Sequence, residues 1–81
     1  MRFKVLDIVV LATDPPEHGL WQGDIGAVVQ VYKPGGLEVE FVTASGKTEA
    51  LVTLNVGSVR PVVDNDLVAV RPYNRKSTFT N

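Results

Sequence analysis

The chain has 81 residues, no cysteine, and eight basic against nine acidic residues, which gives a formal net charge of −1 at pH 7. This length allows one domain with a small core, and the lack of cysteine excludes a disulfide framework and a thiolate metal site. The near-neutral charge argues against non-specific nucleic-acid binding as the main role, because such binding needs clustered lysine and arginine side chains. We find no stretch with the character of a signal peptide or a membrane span, and we expect a soluble, cytoplasmic protein without a membrane partner.

The first strand is predicted over residues 6–13, where both faces are apolar. One face carries Ile8, Val10 and Ala12, and the other carries Val9 and Leu11. Such a strand is covered on two sides or bends between two sheets. Pro15-Pro16 ends it, because proline cannot donate a hydrogen bond to a neighbouring strand. A polar first loop over residues 14–24 follows, and loops of this length in compact domains are often functional.

The next three strands are predicted over residues 25–33, 37–43 and 48–54, with turns at 33–36 and 43–47. The side chains expected on the main apolar face are Ala27, Val29 and Val31 in the first of these strands, Leu37, Val39 and Phe41 in the second, and Ala50, Val52 and Leu54 in the third. Glu38 and Glu40 alternate with the middle set, so we expect both carboxylates to face water.

The rest of the chain predicts a 3₁₀ turn at 55–58 and a short closing strand at 59–63, in which Pro61 indicates an edge or a bulge. After a turn at 64–66, residues 67–70 are interpreted as a further strand or a partner-binding segment. From residue 71 onward the composition is mainly polar and basic. We therefore predict a barrel domain over residues 1–70 and a disordered tail over residues 71–81.

Together these elements predict an all-β fold, a small SH3-like barrel of about five antiparallel strands with a 3₁₀ turn before the last one. A resemblance to a known family rests on the motifs Leu6-Asp7-Ile8-Val9-Val10-Leu11, Pro16-Glu17-His18-Gly19-Leu20, Gly23-Asp24-Ile25-Gly26-Ala27-Val28-Val29, Gly36-Leu37-Glu38-Val39-Glu40-Phe41-Val42, Ala50-Leu51-Val52-Thr53-Leu54 and Val59-Arg60-Pro61-Val62. In this order, over roughly residues 3–63, the chain resembles the bacterial domain-of-unknown-function family 4926. The resemblance implies an SH3-like barrel, and it implies no established activity and no catalytic residues. A looser resemblance, over residues 23–31 alone, is to the KOW-type barrels of ribosomal and transcription proteins.

The sequence offers little for catalysis or metal binding. His18 is the only histidine, and it has Glu17 beside it but no cysteine and no second histidine to complete an active site. Asp14, Glu17 and Asp24 do not have the spacing of a calcium-binding loop. We therefore predict a protein that is not an enzyme and that has no catalytic residues, no cofactor and no metal.

A protein-interaction module is the first functional hypothesis. Aromatic side chains line the peptide grooves of SH3 folds and are enriched at interfaces, and Leu20 and Trp21 could either contact a partner or close one end of the barrel. The predicted partner-binding residues are Trp21, Leu20, His18, Tyr32, Glu38 and Glu40. A second apolar set, predicted to lie opposite the main apolar face, comprises Val9, Leu11, Val28, Val42 and Leu51. Either bent strands bury this set, or it meets a homodimer partner or another protein. An antitoxin or immunity-type protein, or an accessory subunit of a larger bacterial complex, would fit.

A nucleic-acid-binding barrel of the KOW type is the alternative hypothesis. It would contact phosphates through Lys33, Lys47, Arg60, Arg71, Arg75 and Lys76. Salt-dependent binding of RNA would support this alternative, because each phosphate that a basic side chain neutralises releases counterions.

Overall fold

Five antiparallel strands make up the fold in the computed structural model, which describes residues 2–14 and 19–74. The strands are β1 (Ile8–Leu11), β2 (Ile25–Tyr32), β3 (Gly36–Val42), β4 (Thr48–Asn55) and β5 (Val59–Pro61). They form one sheet in the order β4-β3-β2-β1-β5, and a 3₁₀ turn at Val56–Ser58 precedes β5. The predicted all-β fold, with five antiparallel strands and a 3₁₀ turn before the last, is confirmed.

The first and last strands are shorter than predicted, for local reasons. Leu6 has a φ of 80°, a left-handed conformation that an extended strand does not contain, so β1 starts only at Ile8. At the other end, the N–H of Val63 donates to the Asp66 carboxylate rather than to a neighbouring strand, and β5 ends at Pro61. Residues 67–70 form no strand, so the first of the two interpretations of this segment is wrong.

The core lies on one side of the sheet, where β3 and β4 contribute the residues that alternation predicts. Leu37, Val39 and Phe41 of β3 are buried, and so are Ala50 and Val52 of β4. Leu54 is half-buried and packs against the same cluster. The strict alternation of apolar and acidic residues in β3 therefore correctly identified its inner face.

The inner faces of β1 and β2 differ from the prediction. Val9, Leu11 and Val28 had been placed in the second apolar set, but all three belong to the core cluster. Val10 is buried as well, so both faces of β1 are covered from Val9 onward, whereas Ile8 at its start is about half exposed. Val42 and Leu51, the other members of the second set, remain about half exposed and are not part of the core cluster.

A β-bulge explains the change of face in β2. Val28 pairs with Val39, but the next pair along the ladder is Gln30 with Glu38, so Val29 is an extra residue. An extra residue shifts the two-residue period by one position. Inward residues are consequently Gly26 and Val28 before the bulge and Val31 after it, whereas Ala27 and Val29 are not in the core. The predicted inward placement was correct for Val31 only.

Within the described ranges, no helix is long and apolar enough to cross a membrane.

Candidate functional site

The end of the first loop and the chain that follows β5 meet at one side chain, Arg71. Its Nε donates to Asp24 Oδ1 over 2.9 Å, and its Nη2 donates to Asp24 Oδ2 over 2.6 Å. The same Nη2 donates to the carbonyl oxygen of Gly19 over 2.9 Å. The guanidinium carbon lies 4.5 Å from the centroid of the Trp21 ring. We call these four residues, Gly19, Trp21, Asp24 and Arg71, the arginine clasp.

The loop half of the clasp is held by hydrogen bonds of its own. The Trp21 N–H donates to Asp24 Oδ2 over 2.7 Å, and the Asp24 N–H donates to the Trp21 carbonyl over 3.0 Å. Leu11 of β1 then ties the turn to the sheet, because its N–H donates to the Asp24 carbonyl and its carbonyl accepts from the Gly23 N–H. Gly23 has a φ of 96°, which glycine adopts without steric cost.

Charge and partial burial make the Arg71–Asp24 pair a strong one. Only 26% of the Arg71 side chain and 18% of the Asp24 side chain are exposed. The hydrogen bonds from Arg71 to Asp24 raise the pKa of the guanidinium above its usual value, which means that they favour its charged form. Two parallel bonds between a guanidinium and a carboxylate are directional as well as strong. The indole face adds a cation–π contact of about 0.5–1 kcal/mol.

A cleft with a volume of about 570 Å³ lies between the sheet and residues 68–73. Its lining is mainly apolar and includes Leu20, Ile25, Phe41, Val42, Val70 and Tyr73. Asp24, Arg71 and Glu49 supply polar groups at its wall. This combination of apolar walls and a few polar groups, at this volume, is typical of ligand and peptide sites.

Residues 67–70, which we call the apolar segment, run beside this cleft with their side chains in solvent. Leu67 is 94% exposed, Val68 73% and Val70 96%. A second ion pair anchors the turn before them, because Arg60 Nη1 and Nη2 donate to Asp66 Oδ2 and Oδ1 over 2.9 and 2.8 Å. The bonds from Arg60 and from the Val63 N–H lower the pKa of Asp66 to about 2.

The predicted partner-binding residues fall into two places. Leu20 and Trp21 lie at the clasp, where the Leu20 side chain is buried in the core and Trp21 is 53% exposed. Tyr32, Glu38 and Glu40 lie on the outer face of the sheet. Tyr32 ends β2 and Trp21 precedes it, so the length of this strand, roughly 20 Å or more, separates them. His18 lies outside the described residues.

A polar network joins the acidic side chains of the outer face. Glu38 Oε1 accepts from the Thr53 hydroxyl over 2.7 Å and from the Tyr32 hydroxyl over 3.4 Å. The Thr48 hydroxyl donates to Glu40. Both carboxylates therefore face outward, as β3 alternation predicts. Each of them accepts a hydrogen bond from a side chain of a neighbouring strand. Across residues 2–14 and 19–74, no group of three or more acidic or histidine side chains could hold a metal ion.

The cations of the nucleic-acid hypothesis do not share one surface in the described part of the chain. Lys33 and Lys47 lie in the turns at opposite ends of β3. Arg60 and Arg71 are each engaged by an aspartate. Arg75 and Lys76 lie outside the described residues.

Comparison with known protein families gives a match that covers most of the chain and includes the loop half of the arginine clasp. A family model described as "Domain of unknown function (DUF4926)" matches residues 5–61, which are 57 of the 81 residues. The chain belongs to this family. No curated protein and no solved structure matches it. Gly19, Trp21 and Asp24 lie inside the DUF4926 match, whereas Arg71 lies ten residues beyond its end.

Sequence inspection missed the arginine clasp because its two halves are far apart in the chain. Asp24 and Arg71 are 47 positions apart, and Arg71 had been assigned to the C-terminal tail on composition. Within the predicted tail, the structure describes residues 71–74, and Tyr73 packs against the core cluster. Residues 75–81 lie outside the described residues. The predicted tail boundary at residue 70 therefore stays a prediction. The sequence contains one signal for this contact. Arg71 directly follows an apolar segment, and an apolar run just before a polar tail indicates that this part of the chain still contacts another surface.

Proposed function

We propose that this member of the DUF4926 family is a non-enzymatic protein-interaction module that binds a protein partner through the apolar segment and the adjoining cleft. The observation that carries this proposal is the almost complete exposure of Leu67, Val68 and Val70 in a stretch that belongs to no strand. Clustered apolar side chains in water are unfavourable, and on a soluble domain such a surface marks a contact site. Burying each of them on a partner would contribute about 1.5–3 kcal/mol.

Strand addition is the binding mode that fits this geometry. In the unbound chain the apolar segment lies between a turn closed by Asp66 and the anchored Arg71, and its side chains point into solvent. An extended partner chain could pair with its backbone and bury alternate side chains, as in other cases of β-augmentation. Val42 and Phe41 on the opposite wall of the cleft would cover the other side of that chain.

The proposed biological setting follows the sequence-based hypothesis. A chain with no cysteine and a single histidine lacks the usual nucleophile–base sets, which favours a binding role over catalysis. An accessory subunit, or an antitoxin or immunity-type protein of the bacterial cytoplasm, would use such a module. The nucleic-acid alternative has less support, because carboxylates already engage Arg60 and Arg71.

Affinity purification from the source organism tests this proposal with two matched double variants. Leu67→Ser/Val70→Ser changes the apolar segment, and Val5→Ser/Leu6→Ser changes two other exposed apolar side chains that are remote in sequence. Because all four side chains are about half exposed or more, neither variant should alter the thermal unfolding of the purified chain by much.

We expect the wild type and the Val5→Ser/Leu6→Ser control to recover the same protein in a fixed ratio. The Leu67→Ser/Val70→Ser variant should recover at least about tenfold less of it, since two buried aliphatic contacts are lost. Equal recovery by both variants would refute the assigned surface. Recovery of RNA that washes away with salt, and of no protein, would favour the nucleic-acid alternative.

A further inference from the structure

The loop half of the arginine clasp is a complete guanidinium site without Arg71. We call Gly19, Trp21 and Asp24 the guanidinium receptor. Its carboxylate is oriented by the Trp21 N–H, and its turn is tied to β1 through Leu11. None of these bonds involves Arg71, so the Asp24 carboxylate and its turn remain held when the guanidinium leaves. It offers a fork-shaped carboxylate, a carbonyl and an aromatic face, which are the three groups that a guanidinium binds best.

The segment that fills the receptor is attached to the rest of the chain at few points. Between Asp66 and Arg71 its large apolar side chains are in solvent, and the cleft separates this stretch from the sheet. Arg71 and the half-buried Tyr73 are the anchors that follow. Releasing the stretch therefore exposes little additional apolar surface, and the main cost is the loss of the Arg71 contacts.

The division of the chain points the same way. The receptor lies within residues 5–61, the part that matches the DUF4926 family, whereas its occupant comes from outside that match. An extended chain from another protein that brought an arginine into the receptor would restore the bonds that Arg71 makes to Asp24 and Gly19. Its flanking residues would lie in the apolar cleft, beside Val42 and Phe41.

We propose that the guanidinium receptor recognises an arginine carried on an extended segment of a protein partner, and that Arg71 occupies the receptor until that partner binds. Arg71 thereby acts as an internal competitor that sets a threshold for binding. An intramolecular competitor acts at an effective concentration on the order of millimolar, so only a partner with further contacts displaces it. This inference deepens the proposed function, from which it takes the protein nature of the partner.

The test uses the full chain, with Arg71→Gln to vacate the receptor. The probe is a blocked hexapeptide with the sequence of residues 67–72, Leu-Val-Ala-Val-Arg-Pro, and its matched control carries lysine in place of the arginine. The probe omits the tyrosine, so it does not compete with Tyr73 for the core. Trp21 is the only tryptophan and lies under the guanidinium, so its emission reports occupancy directly.

The Arg71→Gln chain should bind the arginine peptide at least about tenfold more tightly than it binds the lysine peptide, because lysine cannot make the paired bonds or the stacked contact. It should also bind the arginine peptide at least about tenfold more tightly than the wild type does, since the wild-type receptor is occupied. Adding Asp24→Asn to Arg71→Gln should remove the preference for arginine.

Three outcomes would overturn the inference. The first is an Arg71→Gln chain with no change in Trp21 emission at millimolar arginine peptide, and the second is equal binding of both peptides by that chain. The third is a wild-type dimer in sedimentation that Arg71→Gln abolishes, in which case a second copy of the chain, and not another protein, supplies the arginine. The first two results leave the purification test of the apolar segment unaffected, so failure of this inference is distinguishable from failure of the proposed function.

Discussion

Replacing Gly26 with alanine should strongly destabilise the sheet, because Gly26 lies in β2 with its missing side chain directed at the core side of β3. A Cβ built on Gly26 would lie 2.6 Å from Val39 Cγ1, 2.8 Å from Phe41 Cε1 and 3.0 Å from the carbonyl oxygen of Glu40. Val39 is completely buried and Phe41 nearly so, and the Glu40 oxygen belongs to the β3 backbone. Val39 is enclosed by the core, and the Glu40 oxygen cannot move without shifting the β3 backbone.

Overpacking of a well-packed core typically costs about 1–3 kcal/mol. We expect Gly26→Ala to fall in the upper half of that range, since one of its obstacles is backbone. For a domain of this size each kcal/mol lowers the melting temperature by about 4–8 °C, so a loss of about 2 kcal/mol corresponds to roughly 8–16 °C.

Gly36→Ala is the matched control for this prediction. Gly36 is also a strand glycine of the same sheet, but a Cβ there would have its nearest neighbour, Tyr32 Cβ, at an ordinary 3.5 Å. Without strain, alanine restricts the unfolded chain and should be neutral or stabilising by up to about 1 kcal/mol. Thermal and urea unfolding of both variants measure the difference. If Gly26→Ala proved as stable as Gly36→Ala, the inward orientation of Gly26 and the pairing of β2 with β3 would be wrong.

Two further predictions concern the bulge and the second ion pair. Val28→Ala should lower the free energy of unfolding by about 2 kcal/mol or more, because Val28 is fully buried. Val29→Ala, at the bulge, should lower it clearly less. If urea unfolding ranked the two variants in the opposite order, the bulge would lie elsewhere. Asp66 has a lowered pKa in the folded chain, so its pair with Arg60 stabilises the fold above the usual carboxyl pKa of 3.8 and loses that contribution as the pH falls from there towards about 2. The stability difference between the wild type and Asp66→Asn, measured by denaturant unfolding at a series of pH values, should shrink over this interval, and a difference independent of pH would contradict the ion pair.

The strands that could be predicted best are those with one solvent-facing side. In β3, glutamates alternate with Leu37, Val39 and Phe41, and a two-residue period with one polar face leaves only one possible orientation. The opposite holds for β1 and β2, which contain runs of apolar residues on both faces. In β2 the neighbouring valines 28 and 29 are chemically identical, so nothing in the composition shows which one is the extra residue of the bulge.

The arginine clasp could not be predicted, for a different reason. Its formation depends on the fold bringing the turn before β2 next to the chain after β5, a contact between residues 47 positions apart. The residue type of Trp21 predicts either contact with a partner or closure of one end of the barrel, but the composition assigns Arg71, the basic residue that lies on it, to a tail. Composition describes a tail by its average, and it cannot show that Arg71 pairs with a carboxylate.

Binding of a protein by the apolar segment and its cleft can be measured in the purified complex. The most direct measurement is the amount of co-purified protein, quantified by mass spectrometry, for the wild type, for Leu67→Ser/Val70→Ser and for Val5→Ser/Leu6→Ser. We predict one partner in a fixed ratio to the wild type and to the Val5→Ser/Leu6→Ser control, reduced at least about tenfold for Leu67→Ser/Val70→Ser. Equal recovery by all three chains, or recovery of no protein by any of them, would contradict the claim.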